Sequence, residues 1–551
     1  MSPLTTEPPR TAIAAWRQGA GTVLETEGEW TLGLRSLGRS MVLLERNGGA
    51  CLGMGGSLLS ERQGDGDAPV LGIIPALRPA QLGAPDFLRD HGLKYPYVAG
   101  AMANGIGSEA IVEAMGRHGM LGFFGAGGLS LPRVEAAIDR IQAALGEAPY
   151  GFNLLHAPNE PDHERDTVAL YLQRGIRLVE AAAYLDLTLP LVRYRTAGIR
   201  LGEDGRPHAP NRVIAKVSRV EVASKFLAPP PEGMLTKLVE EGHLSAEQAE
   251  WARALPVADD LTAEADSGGH TDNRPALSLL PTMLALRDAL AKQYGYARRP
   301  RVGLAGGIAT PESVAAAFAL GADYVVTGSI NQACVESGSS DAVRAMLAQA
   351  QQADVAMAPA GDMFEMGVKV QVLKRGTMFP MRATRLYELY RSHDSLEALP
   401  EEVRKSLEKD YFRATLESIW EETRQYFTTR DPSQIARAER DPRHRMALVF
   451  RWYLGHASRW ANAGEPTRKL DYQVWCGPAM GAFNAWTAGT ALAEPAARGV
   501  VRVAHNLLVG ACALKRWELL RCQASGAALQ LPVGLPVAPV LSDLALEQAL
   551  A

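Results

Sequence analysis

Between residues 98 and 327 the sequence repeats one unit, a short apolar strand closed by small residues and followed by a segment of helical periodicity. That alternation dictates a parallel sheet, because a strand whose successor runs the same way needs a helical crossover to bring the chain back. The clearest copy is the strand at 301–305, closed by Gly306 and Gly307. A helix follows with Thr310 as N-cap, Pro311 at its first position, Val314 and Phe318 on its buried face, and Gly321 just past its end. The next strand, 323–327, ends in Gly328 and Ser329. Upstream, the strand at 98–102 precedes Ser108 and a helix with Ile111 and Met115 one turn apart. The strand at 120–124 precedes Ser130 and a helix spaced Val134, Ile138, Ile141, Leu145. Segments 150–154, 177–183, 212–217 and 260–265 bring the count to eight. Eight βα units in roughly 240 residues is the size of a TIM (β/α)8 barrel. The alternative, an open doubly wound sheet, would normally carry its glycine fingerprint on the first strand.

The chain of 551 residues is longer than one barrel needs, so further units are expected around it. Residues 1–90 form a small N-terminal domain, with strand and hairpin patterning from Trp30 to Glu45 and a loop at 62–67. Residues 91–345 form the barrel, and 346–545 a helical lid region in which the strand signal fades. Within it, 403–427 is a charged amphipathic helix or pair, 445–460 is aromatic and apolar, and 498–520 is a buried helix. The Pro-rich stretch 531–539 reads as a surface tail. Lys plus Arg is 57 against 61 for Asp plus Glu, a balance of −4 that argues against nucleic acid as partner. Five cysteines without a CxxC pair do not make a disulfide framework, and a reducing cytoplasm fits them. Glu7, Pro8, Pro9 and Arg10 do not suit a signal peptide, and no apolar run is long enough for a membrane span.

In a barrel, the loops after strands seven and eight commonly hold a phosphate, since backbone N–H groups at glycines point at the anion. Gly306, Gly307, Gly328 and Ser329 occupy those loops, either as a phosphate clamp or as ordinary turn residues. After strand six comes Gly268-Gly269-His270. Glycines there let backbone approach a flat ring, and an imidazole can polarise a carbonyl or pass a proton, although a loop histidine is more often structural. Asn153 is a ring ligand or a loop cap, and Lys216 is an interior cation or a snorkelling end residue. The loop Gly100-Ala101-Met102-Ala103-Asn104-Gly105 passes backbone near the same ring but fails as a P-loop, since Ile106 stands where lysine is required. Gly125, Gly127 and Gly128 match a dinucleotide fingerprint only in part, with Ser130 in place of its third glycine. Cys334 falls after strand eight, which disfavours a covalent cysteine mechanism, and no metal ligands are assigned.

Four blocks carry a resemblance: Val98-Ala-Gly-Ala-Met-Ala-Asn-Gly-Ile-Gly107, Ala215-Lys-Val-Ser218, Ala265-Asp-Ser-Gly-Gly-His270 and Asp362-Met-Phe-Glu-Met-Gly-Val-Lys-Val-Gln371. Over residues 70–520 the chain resembles the nitronate monooxygenase and FMN-dependent enoyl reductase superfamily, and within it the PfaD-type trans-acting enoyl reductases of polyunsaturated fatty acid and polyketide synthases. The resemblance implies noncovalent FMN, reduced by NADPH or NADH, acting on enoyl thioesters carried by an acyl carrier protein. It implies Ala101, Met102, Asn153 and Lys216 around the flavin ring or ribityl chain, Gly268 and Gly269 beside it, and Gly306, Gly307, Gly328 and Ser329 on its phosphate. His270 matches the superfamily's active-site histidine. Where that superfamily often has Glu-Ala-Gly-Gly-His, this chain has Ala-Asp-Ser before the two glycines, which favours enoyl reduction over nitronate oxidation. The alternatives are a nitronate-type flavin oxidase and a catalytically silent synthase subunit. Oligomeric state, a homodimer included, is left open. The helical region is expected to roof the barrel mouth and receive the pantetheine arm. Lys374, Arg375, Arg382, Arg385 and Arg391 beside it are either a solvated face or a dock for an acidic carrier protein.

Overall fold

The computed structural model describes residues 15–46, 48–156, 161–526, 531, 537–539 and 542–550. The start of the chain with Glu7 to Arg10, and residues 532–536 of the Pro-rich stretch, lie outside them. Val537, beyond that gap, is buried rather than on a surface tail. The chain divides into two compact units, residues 83–310 with 317–501, and residues 1–82 with 311–316 and 502–551. No helix among the described residues is long and apolar enough to cross a membrane.

The larger unit contains a closed barrel of eight parallel strands, β1 Tyr97–Ala99, β2 Leu121–Phe124, β3 Gly151–Leu155, β4 Leu178–Ala182, β5 Arg212–Val217, β6 Asp260–Glu264, β7 Arg301–Ala305 and β8 Val325–Thr327. Each neighbours the next in sequence, and β8 pairs with β1 through Val325↔Tyr97. The expected eight-stranded TIM-type barrel is therefore present. Its strands read as apolar runs because they are buried on both faces. The helix stripe Val134, Ile138, Ile141 and Leu145 is buried as its spacing requires.

The N-terminal ends of the strands hold a charged network. Asp260 opens β6 and is fully buried, accepting from Arg301 at 2.5 and 3.1 Å and lying 2.7 Å from His91 Nε2. Asp90 takes a third guanidinium nitrogen of Arg301 at 2.8 Å. Burial alone would raise the Asp260 carboxyl, but Arg301 and His91 hold it down at about 2. Above this network Phe87 stacks on Tyr324 at 4.2 Å, and the Tyr324 hydroxyl meets Thr262 at 2.8 Å.

Past the barrel the chain is not purely helical. β9 Val355–Pro359 and β10 Lys369–Leu373 form an antiparallel pair, and β10 also pairs with the two-residue strand Gly269–His270. Helices follow, of which α1 Leu416–Arg430 and α2 Pro442–Ala463 bound the site described below.

In the other unit six strands align in the order Thr22–Leu24, Gly49–Met54, Met41–Arg46, Asp67–Ile74, Ala15–Arg17, Ser57–Leu59. Trp30 belongs not to a strand but to the helix Glu27–Arg35, because Thr26 and Glu29 form a reciprocal capping box that starts a helix there. From residue 502 the helix α3 Val500–Gly526 belongs to this unit, where Trp517 meets Trp30 edge-on at 6.4 Å. Arg516 is fully buried and donates to the carbonyls of Gly33, Leu34, Ser36 and Arg39. Burial lowers its pKa to about 10, and these carbonyls at the end of the short helix replace its water shell.

Candidate active site

The loops at the C-terminal ends of the barrel strands open into a cavity of about 610 Å³. Every site residue expected from sequence lines it: Ala101, Met102, Asn153, Lys216, Gly268, Gly269, His270, Gly306, Gly307, Gly328 and Ser329. Backbone supplies much of that lining. Gly306 and Gly307 have φ of +85° and +76°, conformations that side chains disfavour. A Cβ on Gly306 would lie 2.6 Å from the Ala265 carbonyl carbon, whereas one on Gly307 meets nothing within 4 Å. Gly306 thus packs against the loop after β6, while Gly307 leaves its backbone bare. Gly268 lies flush on the Cys476–Gly477 backbone, where a Cβ would approach within 2.8 Å. The Ser329 hydroxyl accepts from Gly477 N–H at 3.1 Å, so that side chain anchors the loop.

Lys216 is an interior cation, not a snorkelling one. Its Nζ lies 3.7 Å from Glu180 and 3.5 Å from Glu264, carboxylates on the flanking strands β4 and β6. Burial would lower the ammonium pKa, but the two acids outweigh it and raise it, so Lys216 stays charged. Glu180 is fully buried; one carboxylate oxygen accepts from Ala101 N–H at 2.9 Å and the other has no hydrogen-bond partner among the described residues. Burial raises the pKa of Glu180 despite Lys216. Asn153, in β3, donates to the Glu180 carbonyl at 3.1 Å, which fixes its amide across the β3–β4 seam. Sequence reasoning missed Glu180 and Glu264, although an acid within an apolar strand is itself a signal of an interior partner.

His270 is held by the strand pair with β10, opposite Val370. Its Nε2 lies 3.2 Å from Asp362 Oδ1. Burial would lower the imidazole pKa; the Asp362 hydrogen bond and charge, with Glu264 adding to them, raise it above the ordinary histidine value. The Ala265-Asp266-Ser267 segment is braced by Gln371, whose amide donates to Asp266 and to the Ser267 carbonyl, both at 2.8 Å. Asn273 donates to the same Asp266 carboxylate at 2.7 Å. Asp362, Gln371 and Asn273 were not assigned from sequence; the first two begin and end the fourth resemblance block.

The outer wall comes from α1 and α2, with Tyr426, Phe427, Trp452, His456 and Arg459 lining it. Trp452 and His456 stack at 4.1 Å. The basic run beside this wall is not a uniform surface. Arg382 is bound to the fully buried Asp471 and lies over the Tyr411 ring at 5.1 Å, with its side chain 12% exposed. It is a structural ion pair, because a solvated cation and a buried carboxylate at that position would both be worse off apart. Cys334 is buried, and burial pushes its thiol up, which suits no nucleophile.

Residues 86–409 match the family model for nitronate monooxygenase, and residues 393–472 match that for the inserted helical domain of acyl-carrier-protein S-malonyltransferase. The chain is 49% identical over 457 residues to one of the polyunsaturated fatty acid synthase subunits of Thraustochytrium sp., covering 82% of this chain and 30% of that protein. It is 47% identical over 428 residues to polyketide biosynthesis protein PksE of Bacillus subtilis, covering 78% and 55%. The chain thus spans a third to about half the length of these two curated relatives. Among solved structures, the enoyl reductase domain of MlnA, from the macrolactin biosynthesis cluster of Bacillus amyloliquefaciens, aligns with a TM-score of 0.76 at 40% identity. That alignment covers 81% of this chain and 99% of the MlnA domain. The chain belongs to the nitronate monooxygenase family, in the branch that includes the MlnA enoyl reductase domain.

Proposed function

We propose that this chain is a trans-acting enoyl reductase that uses FMN and NAD(P)H to reduce the α,β-double bond of enoyl thioesters on acyl carrier protein, in polyketide or polyunsaturated fatty acid assembly. The near-complete match to an enoyl reductase domain carries this reading. The synthase subunits among the relatives and the helical segment like that of an acyl-carrier-protein transferase support the carrier protein as partner.

The residues present fit FMN. Gly307 offers bare backbone to an anion, with Gly306, Gly328 and Ser329 beside it, and the Ala101–Met102 loop with Asn153 and Lys216 provides a polar wall for a ring system. Bound FMN, reduced by NAD(P)H, would supply the hydride. The chain's own residues then orient the thioester, exclude water through the α1 and α2 wall, and manage charge and proton at His270. Lys216, kept cationic by two acids, holds a fixed positive charge at the cavity floor. Gly306→Val forces a branched side chain into a left-handed position and against the Ala265 backbone. FMN affinity, read by fluorescence on titration into apoprotein, is expected to fall about ten-fold or more.

An anaerobic half-reaction tests the function. NADPH should bleach the bound flavin, and a crotonyl thioester on carrier protein or a pantetheine mimic should restore its colour with saturated product. The family model over residues 86–409 favours a second reading, a nitronate-type oxidase, and reoxidation by only oxygen or a nitronate would select it. No flavin bound after reconstitution would point to a silent synthase subunit.

A further inference from the structure

We propose that Asp362 is the positioning residue of His270, and that the helical insertion sets its place through Arg451. The proposal rests on the enoyl reductase reading for its substrate, but its geometry stands independently. The loop bearing Asp362 lies flush on α2. Gly361 packs closely there, since a Cβ would come within 3.2 Å of the Leu454 Cβ. Arg451, from α2, donates to the Gly361 carbonyl at 2.9 Å and lies 3.6 Å from Glu365, so it brackets the loop on both sides of Asp362. Phe364 anchors the same loop, fully buried against Tyr387, Tyr390 and Phe450. Asp362 Oδ1 accepts its neighbour Met363 N–H at 3.0 Å and faces His270 Nε2 at 3.2 Å.

The charged groups facing the imidazole are therefore Asp362 from this loop and Glu264 and Lys216 from the barrel, while Arg451 faces Asp362 from α2. With Nε2 committed to the carboxylate, Nδ1 is the nitrogen able to serve the substrate. In the proton step the Nδ1–H bond breaks as a C–H bond forms at the substrate α-carbon. The imidazole is left neutral, its Nε2–H still on Asp362, and solvent reprotonates Nδ1. The acid is thus assembled from two parts of the chain, the histidine from the loop after β6 and its orienting carboxylate from a loop clamped by the insertion.

Asp362→Asn, Asp362→Glu and Arg451→Met test this in the FMN-loaded protein. Histidine-selective 13C NMR gives the His270 titration, its signal assigned by loss in His270→Ala. Asp362→Asn should lower the His270 pKa by about one unit, because the paired charge is gone. It should also lower kcat about ten-fold or more with little change in KM, and move the alkaline limb of the pH profile to lower pH. Asp362→Glu should recover part of both effects, and Arg451→Met should shift both in the same direction by less. A folded, FMN-bound Asp362→Asn protein whose His270 titrates as in the wild type would overturn the pairing. Arg451→Met with an unchanged titration and an unchanged kcat would overturn the role of the insertion. The titration needs no turnover, so a shifted His270 in a protein that reduces no thioester would refute the functional reading alone.

Discussion

Replacing His270 by alanine is expected to lower enoyl thioester turnover by about 10²-fold or more while leaving FMN bound. The cavity lining proposed to hold FMN draws on Gly306, Gly307, Ala101 and Asn153, none of which needs the imidazole to hold its place. The anaerobic half-reactions separate the two contributions. Bleaching by NADPH should proceed near its normal rate, and reoxidation by the thioester should slow. Near-normal reoxidation with full flavin content would remove His270 from the chemistry. The pH dependence has a defined sign. The folded pKa of His270 is raised, so the imidazolium persists upward from the ordinary histidine range, and a rate that needs this acid falls as pH rises through the raised value. The His270–Asp362 pair contributes stability while both groups are charged, and it is lost as pH rises through the raised His270 pKa and as pH falls through the lowered Asp362 pKa.

The second large effect lies at the opposite end of the barrel. Asp260→Ala is expected to destabilise the larger unit by about 3–5 kcal/mol, because Arg301 would remain buried with one of its two close carboxylates removed. Chemical denaturation of wild type and variant measures it, and a loss under about 1 kcal/mol would mean that water or Asp90 compensates Arg301 fully. Acid should act on the same network. The Asp260 carboxyl is held at about 2, below the ordinary aspartate value of 3.8, so its contribution is complete above pH 3.8 and is lost as pH falls through about 2. The charged network and the cavity thus lie at opposite rims, Asp260 and Arg301 opening their strands and Glu264 and Ala305 closing the same two.

The barrel was legible because a strand buried on both faces reads as an apolar run, and most of the runs are followed by small residues, as at Gly100, Gly125, Ala183, Ser218, Gly306 and Gly328. His270 and the glycines were legible by position after strands six, seven and eight. What escaped depends on pairing across distance. Asp362 lies 92 residues from His270, and nothing local in either segment marks the contact. The β9–β10 pair escaped because both strands are short and their third partner is two residues long, so no alternation of useful length exists. The ambiguity at Lys216 could be resolved only by the register that sets Glu180 and Glu264 on neighbouring strands. Arg382 was counted with a basic run that was either a solvated face or a dock, because a count of basic residues cannot see Asp471 facing it. Trp30 was placed in a strand and hairpin pattern, although the Thr26 and Glu29 capping pair was present in the sequence and is the stronger signal.

The sharing of one unit by the N-terminal sheet and α3 sets an order of events at the ribosome. Residues 1–82 leave the tunnel well ahead of the helix that covers Trp30 and brings Arg516 to the waiting carbonyls, which begins to enter their unit only at residue 502. At about 5–20 residues per second, the intervening 419 residues take roughly 20–80 s to synthesise. All eight barrel strands emerge within that interval, so the sheet that precedes the barrel in sequence waits for a partner made after it.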